Sequence, residues 1–319
     1  MGRPEYPKDM REFRRKFATD EACREYLVQS RWLDGFVCPQ CSAKAAWLNK
    51  RRHLFECQEC GRQTSPTAGT VMHRSHLPIQ EWFWAAYLVA THTPGISALQ
   101  LQRQLGIASY DTAWHLLHRL RKAMVNDQRT QLSGLVEADE THIGGPAKGK
   151  SGRGVAAAKH KTLVVGAVEV LTYMDDSGKR RERAGRLRLQ VIKDASETSI
   201  GAFIQGKVEP GSRIRTDGWR GYSDTALVDY KHTVRIVGAP TRAHKQAPHI
   251  HRVFSNLKTW LAGTHHGVEP KYLQSYLDEH VFRFNRRNTP MAAFQTLLGI
   301  SCQKTPLELR KLKRPESTR

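Results

Sequence analysis

Two groups of residues in this chain have the types and spacing to do chemistry. The first is Cys38-Pro-Gln-Cys41 followed by Cys57-Gln-Glu-Cys60, a C-x2-C-x15-C-x2-C pattern. Four thiolates in two close knuckles are the ligand set of a tetrahedral structural zinc. A redox pair needs one CxxC, so the presence of two knuckles favours metal. The second group is acidic: Val136-Glu137-Ala138-Asp139-Glu140-Thr141-His142-Ile143-Gly144-Gly145. An acid at a strand end, followed by paired glycines, is a carboxylate exposed on a rigid scaffold. The chain holds 51 Lys and Arg against 30 Asp and Glu, a formal net charge of +21. An acidic pocket in so basic a protein points to a divalent cation working on a polyanion. A surface turn with two acids would give the same local pattern, so the weight rests on what accompanies it.

Two further sites accompany it. Arg213-Ile-Arg-Thr-Asp217 reads as another strand ending in an acid, closed by Gly218. A helix from about 248 to 263 has an apolar face of Ile250, Val253, Phe254, Leu257, Trp260 and Leu261, and a second stripe of His251, Ser255 and Lys258 at i, i+4, i+7.

The elements that must position these groups follow in chain order. Residues 1–34 read as an N-terminal helical arm, with 1–8 flexible and Phe13, Phe17, Ala22, Tyr26 and Leu27 at helical spacing. Cys23 reads as a small buried residue there. Residues 35–66 form a zinc ribbon, with Ala45–Leu48 and His53–Glu56 as short strands around the turn Asn49–Arg52. Its surface carries Lys44, Lys50, Arg51, Arg52 and Arg62, a face suited to DNA or simply to water. Residues 75–128 turn helical. Ser97–Leu105, then Gly106, then a helix from about Asp111 to Met124, is the pattern of a helix-turn-helix. Its second helix offers His115, Arg119, Arg121 and Lys122 as DNA-binding candidates, although an ordinary helical hairpin has the same pattern. Residues 132–300 alternate strands (135–139, 163–170, 186–192, 213–217, 232–237) with helices, which predicts an α/β domain with a mixed sheet. A Gly- and Lys-rich patch follows Gly145, and residues 239–248 read as an irregular basic loop. Residues 301–319 read as a basic, weakly ordered tail.

The bulk numbers exclude some classes. No apolar run approaches the roughly 20 residues of a membrane helix, and the N-terminus has no apolar signal core. Six cysteines, four of them in two CxxC pairs, fit metal ligation in a reducing cytoplasm better than a disulfide framework. The cationic excess predicts nucleic-acid binding through phosphates.

Taken together these phrases resemble the bacterial insertion-sequence transposases that join an N-terminal zinc ribbon to a ribonuclease-H-like, DDE-type catalytic domain. The resemblance covers about residues 15–300. It rests on Gly35–Cys41, Val136–Gly145, Thr216-Asp-Gly-Trp-Arg-Gly-Tyr222, Asn256-Leu-Lys258, Gly263-Thr-His-His266, Tyr276–Glu279 and Phe282–Arg287. It implies that Asp139, Asp217 and His251 hold catalytic Mg2+ or Mn2+, with Lys258 on the DNA. The family usually has Glu where this chain has His251, and His249 or Asn256 is the alternative third ligand. Glu137 and Glu140 are expected to support the site or face solvent. The resemblance further implies binding to the element's terminal inverted repeats and to target DNA, strand cleavage and transfer, a homodimer or higher oligomer on DNA, and a cytoplasmic, nucleoid-associated location. A regulator built from the ribbon and helix-turn-helix leaves Asp139 and Asp217 unexplained. A decayed transposase that binds without cutting has only His251 in its favour.

Overall fold

The computed structural model describes residues 4–126, 128–144, 161–234, 247–308 and 312. The Gly- and Lys-rich patch after Gly144, residues 239–246 of the expected basic loop and most of the expected C-terminal tail lie outside these residues. The chain divides into two units, Met1–Asn126 with Arg286–Arg319, and Asp127–Asn285. Among the described residues no helix is long and apolar enough to cross a membrane.

The first unit begins with α1 (Met10–Lys16) and α2 (Asp20–Arg31). Each is started by a polar cap: the Asp9 side chain accepts from the Glu12 N–H, and that of Thr19 from the Ala22 N–H. A three-stranded antiparallel sheet follows, β1 (Ala46–Asn49), β2 (Leu54–Cys57) and β3 (Gln63–Thr64). Then come α3 (Ile79–Thr91), α4 (Ala98–Leu105) and α5 (Tyr110–Ala123). Gly106 ends α4 in the left-handed region at φ 66°, which a glycine adopts without strain. The expected turn between these two helices is therefore present.

Two expectations for this unit change. Residues 4–8 are not a loose arm, because the Pro4 carbonyl accepts from Tyr26 and Gln295 and the Glu5 carbonyl from Lys16. The sequence pattern assigns the last helix (Pro290–Gln303, α9 in the numbering below) to the α/β domain ending at 300. It belongs instead to this unit, where Phe294 enters an aromatic cluster with Phe13, Phe17 and Phe83. Ring contacts of this kind are worth about 1 kcal/mol each beyond the area they bury.

The second unit is a five-stranded mixed sheet. β4 (Leu135–Ile143), β5 (Thr162–Met174) and β6 (Arg180–Ile192) run antiparallel, while β7 (Arg213–Thr216) and β8 (Lys231–Val234) are parallel to β4. The order is β6-β5-β4-β7-β8. α6 (Glu197–Lys207) covers one face, packing Ile200, Phe203 and Ile204 on Val136, Ala138, Val165 and Ile214. α7 (Pro248–His265) and α8 (Leu273–Phe284) cover the other, packing Ile250, Phe254 and Leu277 on Val164, Val168 and Leu189. α9 (Pro290–Gln303) follows, in the first unit.

Gly166 decides how close α7 comes to the sheet. It pairs with Asp139, and a Cβ there would meet Leu189, Ile250 and Phe254 at 2.8, 2.9 and 3.0 Å. Gly166→Val should therefore push α7 off the sheet. The expected cost is about 1–3 kcal/mol of overpacking, measured as a lowered midpoint of chemical unfolding.

Candidate active site and metal centre

The cysteine set is built from two turns. Cys38 and Cys57 are buried, and Cys41 and Cys60 lie at the surface. All four Sγ atoms lie within 4.8 Å of one another, with Cys38–Cys60 at 3.6 Å and Cys41–Cys57 at 3.5 Å. Zinc–sulfur bonds of about 2.3 Å in a tetrahedron put sulfurs roughly 3.8 Å apart, so the donor set fits a closed structural site. Trp32, Phe36 and Phe55 back the two buried cysteines with a small apolar core. So little packed surface cannot hold a ribbon alone, which makes the cross-link its main support.

The acidic site is assembled on the second unit from β4, the end of β7 and the start of α7. Along β4, Glu137 and Asp139 face α7, and Glu140 faces the opposite side. The parallel register sets Glu137 beside Arg215. Two residues further on, Asp139 and Asp217 therefore stand level, but Asp139 lies in the middle of β4, which does not end at the acid as expected and runs on to Ile143, while Asp217 follows the end of β7. Gly218, at φ 86°, turns the chain immediately after Asp217. The Asp217 carboxylate accepts from the Trp219 N–H at 2.9 Å. His251, in the first turn of α7, brings Nδ1 to 3.5 Å from Asp139 Oδ2. Lys258, two turns on, is exposed and close enough to pull the Asp139 carboxyl downward in pKa.

Burial works against that pull. It pushes the Asp139 carboxyl up to about 7, and the neighbouring Asp217 charge adds to the effect. Burial also pushes Glu140 up to about 7, reinforced by Asp139, although Tyr222 donates its hydroxyl to Glu140 at 3.0 Å. Asp139 and Asp217 thus repel each other on one side of β4, and Glu140 on the other side feels both, which raises the free energy of their negative charge. Among the described residues, only the cysteines bring three or more ligand atoms within 4.8 Å. The Asp139–Asp217–His251 corner is the more open of the two.

Of the two roles expected for Glu137, support of the site and exposure to solvent, it takes the first. It is 0% exposed, and its carboxylate accepts from the His249 N–H at 2.7 Å, the Ile250 N–H at 3.0 Å and His249 Nδ1 at 3.0 Å. Arg215 donates to it at 3.1 Å. Burial would raise its pKa, but these donors hold it below the ordinary carboxylate value. His249, an alternative third ligand on spacing grounds, therefore turns to Glu137 while His251 turns to Asp139. Asn256, the other alternative, is exposed. One signal is available in the sequence: the helix beginning Ala247-Pro248 offers no Ser, Thr, Asp or Asn to cap itself, so its first N–H groups need a partner from elsewhere.

The expected DNA-reading face of α5 needs correction. Arg119 and Arg121 are buried, at 9% and 1% exposure. Arg119 donates to the carbonyls of Leu307 and His73, and its guanidinium lies 5.8 Å from the Trp82 ring centre. His115 meets the Leu307 carbonyl at 2.9 Å, and Lys122 donates to Thr305 and Pro306. The stripe with the pattern of a groove-facing surface binds residues 305–307 of the same unit. In this helix pair the exposed residues include Gln100, Arg103 and Gln104 on α4 and Tyr110, Asp111 and Thr112 at the start of α5.

Two measurements check these assignments. Protein purified without chelator should carry about one zinc per chain by elemental analysis, and Cys57→Ser should lose it and loosen the ribbon; a metal-free wild type would refute the site. Glu137→Ala strands the α7 N–H groups and takes from Arg215 one of its two carboxylate partners, so chemical unfolding should show a loss of about 3 kcal/mol or more, against a smaller loss for Glu137→Gln.

The comparisons with known proteins agree with this division. Residues 18–63 match the transposase zinc-ribbon domain, and residues 131–285 match the ISXO2-like transposase domain. The second match nearly coincides with the mixed-sheet unit of residues 127–285. Over 297 residues the chain is 24% identical to an uncharacterized protein in transposable element ISH50 from Halobacterium salinarum, an alignment covering 88% of this chain and 97% of that protein. The four-cysteine ribbon and the acidic corner fall inside the two matched segments, so the chain is similar to a transposase zinc ribbon in the one and to an ISXO2-like transposase domain in the other.

Proposed function

We propose that this protein is a DNA transposase that binds the terminal inverted repeats of its insertion sequence, cuts a strand there and joins it to target DNA. The observation that carries the reading is the juxtaposition of Asp139, Asp217 and His251 on two adjacent strands and one helix, inside a transposase-type domain. A sheet of three antiparallel strands followed by two parallel ones, with helices on both faces, is compatible with a ribonuclease-H-like core. The excess of cations supports a polyanionic substrate.

Each residue has a role under this reading. Asp139 and Asp217 supply hard oxygen ligands, and His251 supplies a neutral nitrogen in place of a third carboxylate. Mg2+ or Mn2+ held there would activate water or a 3′-hydroxyl and stabilise the leaving oxygen of the phosphodiester. The mutual repulsion of Asp139, Glu140 and Asp217 fits such a cation, because an added positive charge relieves it. Glu137 fixes the start of α7 so that His251 stays beside Asp139. Lys258 would hold a phosphate next to the reacting one. Tyr222 steadies Glu140. The four cysteines would hold one structural zinc. The active species is a homodimer or higher oligomer on DNA, in the cytoplasm with the nucleoid. The division of labour along the chain is the ribbon at 35–66, the helix-turn-helix at 75–128 and the catalytic unit from 132, with α9 returned to the first unit.

Cleavage of a labelled element-end fragment tests the reading. Asp139→Asn and Asp217→Asn should cut activity by more than the about 10–100-fold that loss of a partner outside the ligand set costs, while end binding persists. His251→Ala should lose most activity. His251→Glu should keep it and move the preference from Mn2+ toward Mg2+, since a carboxylate is the harder ligand. Wild-type protein that binds ends but cuts in neither metal would mark a binder, not a transposase.

A further inference from the structure

The strands β5 and β6 outrun the sheet. β4 pairs with β5 only as far as Val136 opposite Glu169, whereas β5 and β6 stay paired from Val170–Ala184 out to Met174–Arg180. Residues 170–184 therefore form a two-stranded arm beyond the sheet. The sequence pattern, with strands at 163–170 and 186–192, does not reveal it.

The arm is held stiffly. At its tip, Asp175 accepts from the backbone N–H groups of Ser177 and Lys179, from the Ser177 hydroxyl and from Arg181 Nε. At its root the register shifts between Val168 and Val170, and Gly185 leaves no room for a Cβ beside Glu169. Glu169 there accepts from the N–H groups of Ser133 and Arg186 and from the Arg186 guanidinium. Arg215 then donates to both Glu182 on the arm and Glu137 beneath α7. One arginine thus links the arm to the carboxylate that sets α7 beside Asp139.

The two faces of the arm differ. Opposed residues share a face, so Thr172 and Glu182 lie on the side of Arg215. Leu171, Tyr173, Arg181 and Arg183 lie on the other side. The Arg183 guanidinium sits 5.5 Å from the Tyr173 ring centre. Leu171 and Tyr173 are 44% and 43% exposed, and the fold gains little from them. An exposed apolar ribbon beside an edge strand is a liability unless something uses it. Of its acids, Asp175 is committed to the turn and Glu182 to Arg215, and Asp176 is exposed at the tip. What this face presents outward is a leucine and a tyrosine beside two arginines, while Met174 and Arg180 lie on the other face.

We propose that this arm is a DNA-contacting ribbon, with the Leu171–Tyr173–Arg181–Arg183 face, on the side of the sheet away from Asp139, laid into a groove of duplex DNA. This rests on the reading of the protein as a transposase. The major groove admits a two-stranded ribbon, and arginine suits both phosphates and guanine edges. A second copy of the chain is the poorer occupant, because the arm's arginines would face a surface of the same +21 charge.

The test uses the full chain and a labelled random-sequence duplex, with affinity measured by fluorescence anisotropy over a range of salt. Tyr173→Ala combined with Arg183→Ala should bind roughly tenfold more weakly, and Arg183→Ala alone should lower the salt slope by about one. Arg183→Glu needs no repacking and should weaken binding further. Thermal unfolding should not move for any of them. Variants that bind with wild-type affinity and slope would overturn the proposal while leaving the transposase reading intact. So would unchanged affinity with a wild-type oligomer that light scattering finds broken in Tyr173→Ala, since the face would then serve self-association. A wild type with no affinity for any duplex would sink both readings together.

Discussion

A single buried carboxylate ties the mixed-sheet unit of this protein together. α7 starts at Ala247-Pro248 without a side-chain cap of its own, and a helix start leaves N–H groups that must find acceptors. Glu137 reaches across from β4 and takes two of them, with the His249 ring as a third donor. A negative charge at the positive end of a helix is favourable, and the arrangement fixes the helix in both rotation and height. Arg215 offsets the charge from the neighbouring strand. Because Glu137 and Asp139 alternate onto the same face of β4, the residue that anchors α7 also sets the distance from Asp139 to His251. The missing side chain at Gly166 lets the helix come that close.

The second constraint is electrostatic. Asp139 and Asp217 meet in a corner that burial makes hostile to charge, Glu140 on the other side of β4 feels both, and both Asp139 and Glu140 are pushed up to about 7. Such a corner costs stability in a protein that does not use it, and is useful where a cation and a phosphate are to be gathered. His251 changes the balance at this corner. An imidazole adds no negative charge there, whereas a carboxylate at this position would add one. The corner therefore holds less negative charge, at the expense of a softer donor.

The first unit depends on chain ends meeting. Phe13 and Phe17, near the N-terminus, pack against Phe294 from α9, near the C-terminus. Pro4 accepts a bond from Gln295. Residues 305–307 continue onto α5 and satisfy His115, Arg119 and Lys122. Carbonyl oxygens are good acceptors for buried guanidinium groups, so basic residues at helical spacing read as a surface when they are part of an interior. The same helix pair still exposes the start of α5, where a helix-turn-helix makes its base contacts.

How much is legible in the sequence depends on how local each signal is. The zinc ribbon is legible because thiolate spacing within two short turns determines whether four sulfurs can meet. The end of β7 is legible because the acid and the glycine after it are local, whereas the end of β4 is not: pairing with β5 carries it past Asp139 through the polar Glu140, Thr141 and His142 to Ile143. The face that carries His251 follows from the stripe it shares with Lys258, since i, i+7 spacing fixes a helix face. The arm at 170–184 is not legible, because a ribbon exposed on both sides carries no inside-to-outside alternation. The packing of α9, the burial of Arg119 and Arg121 and the role of Glu137 are decided only by tertiary structure. Each depends on groups far apart in the chain, and spacing along a sequence carries no information about which distant acceptor a buried donor will meet.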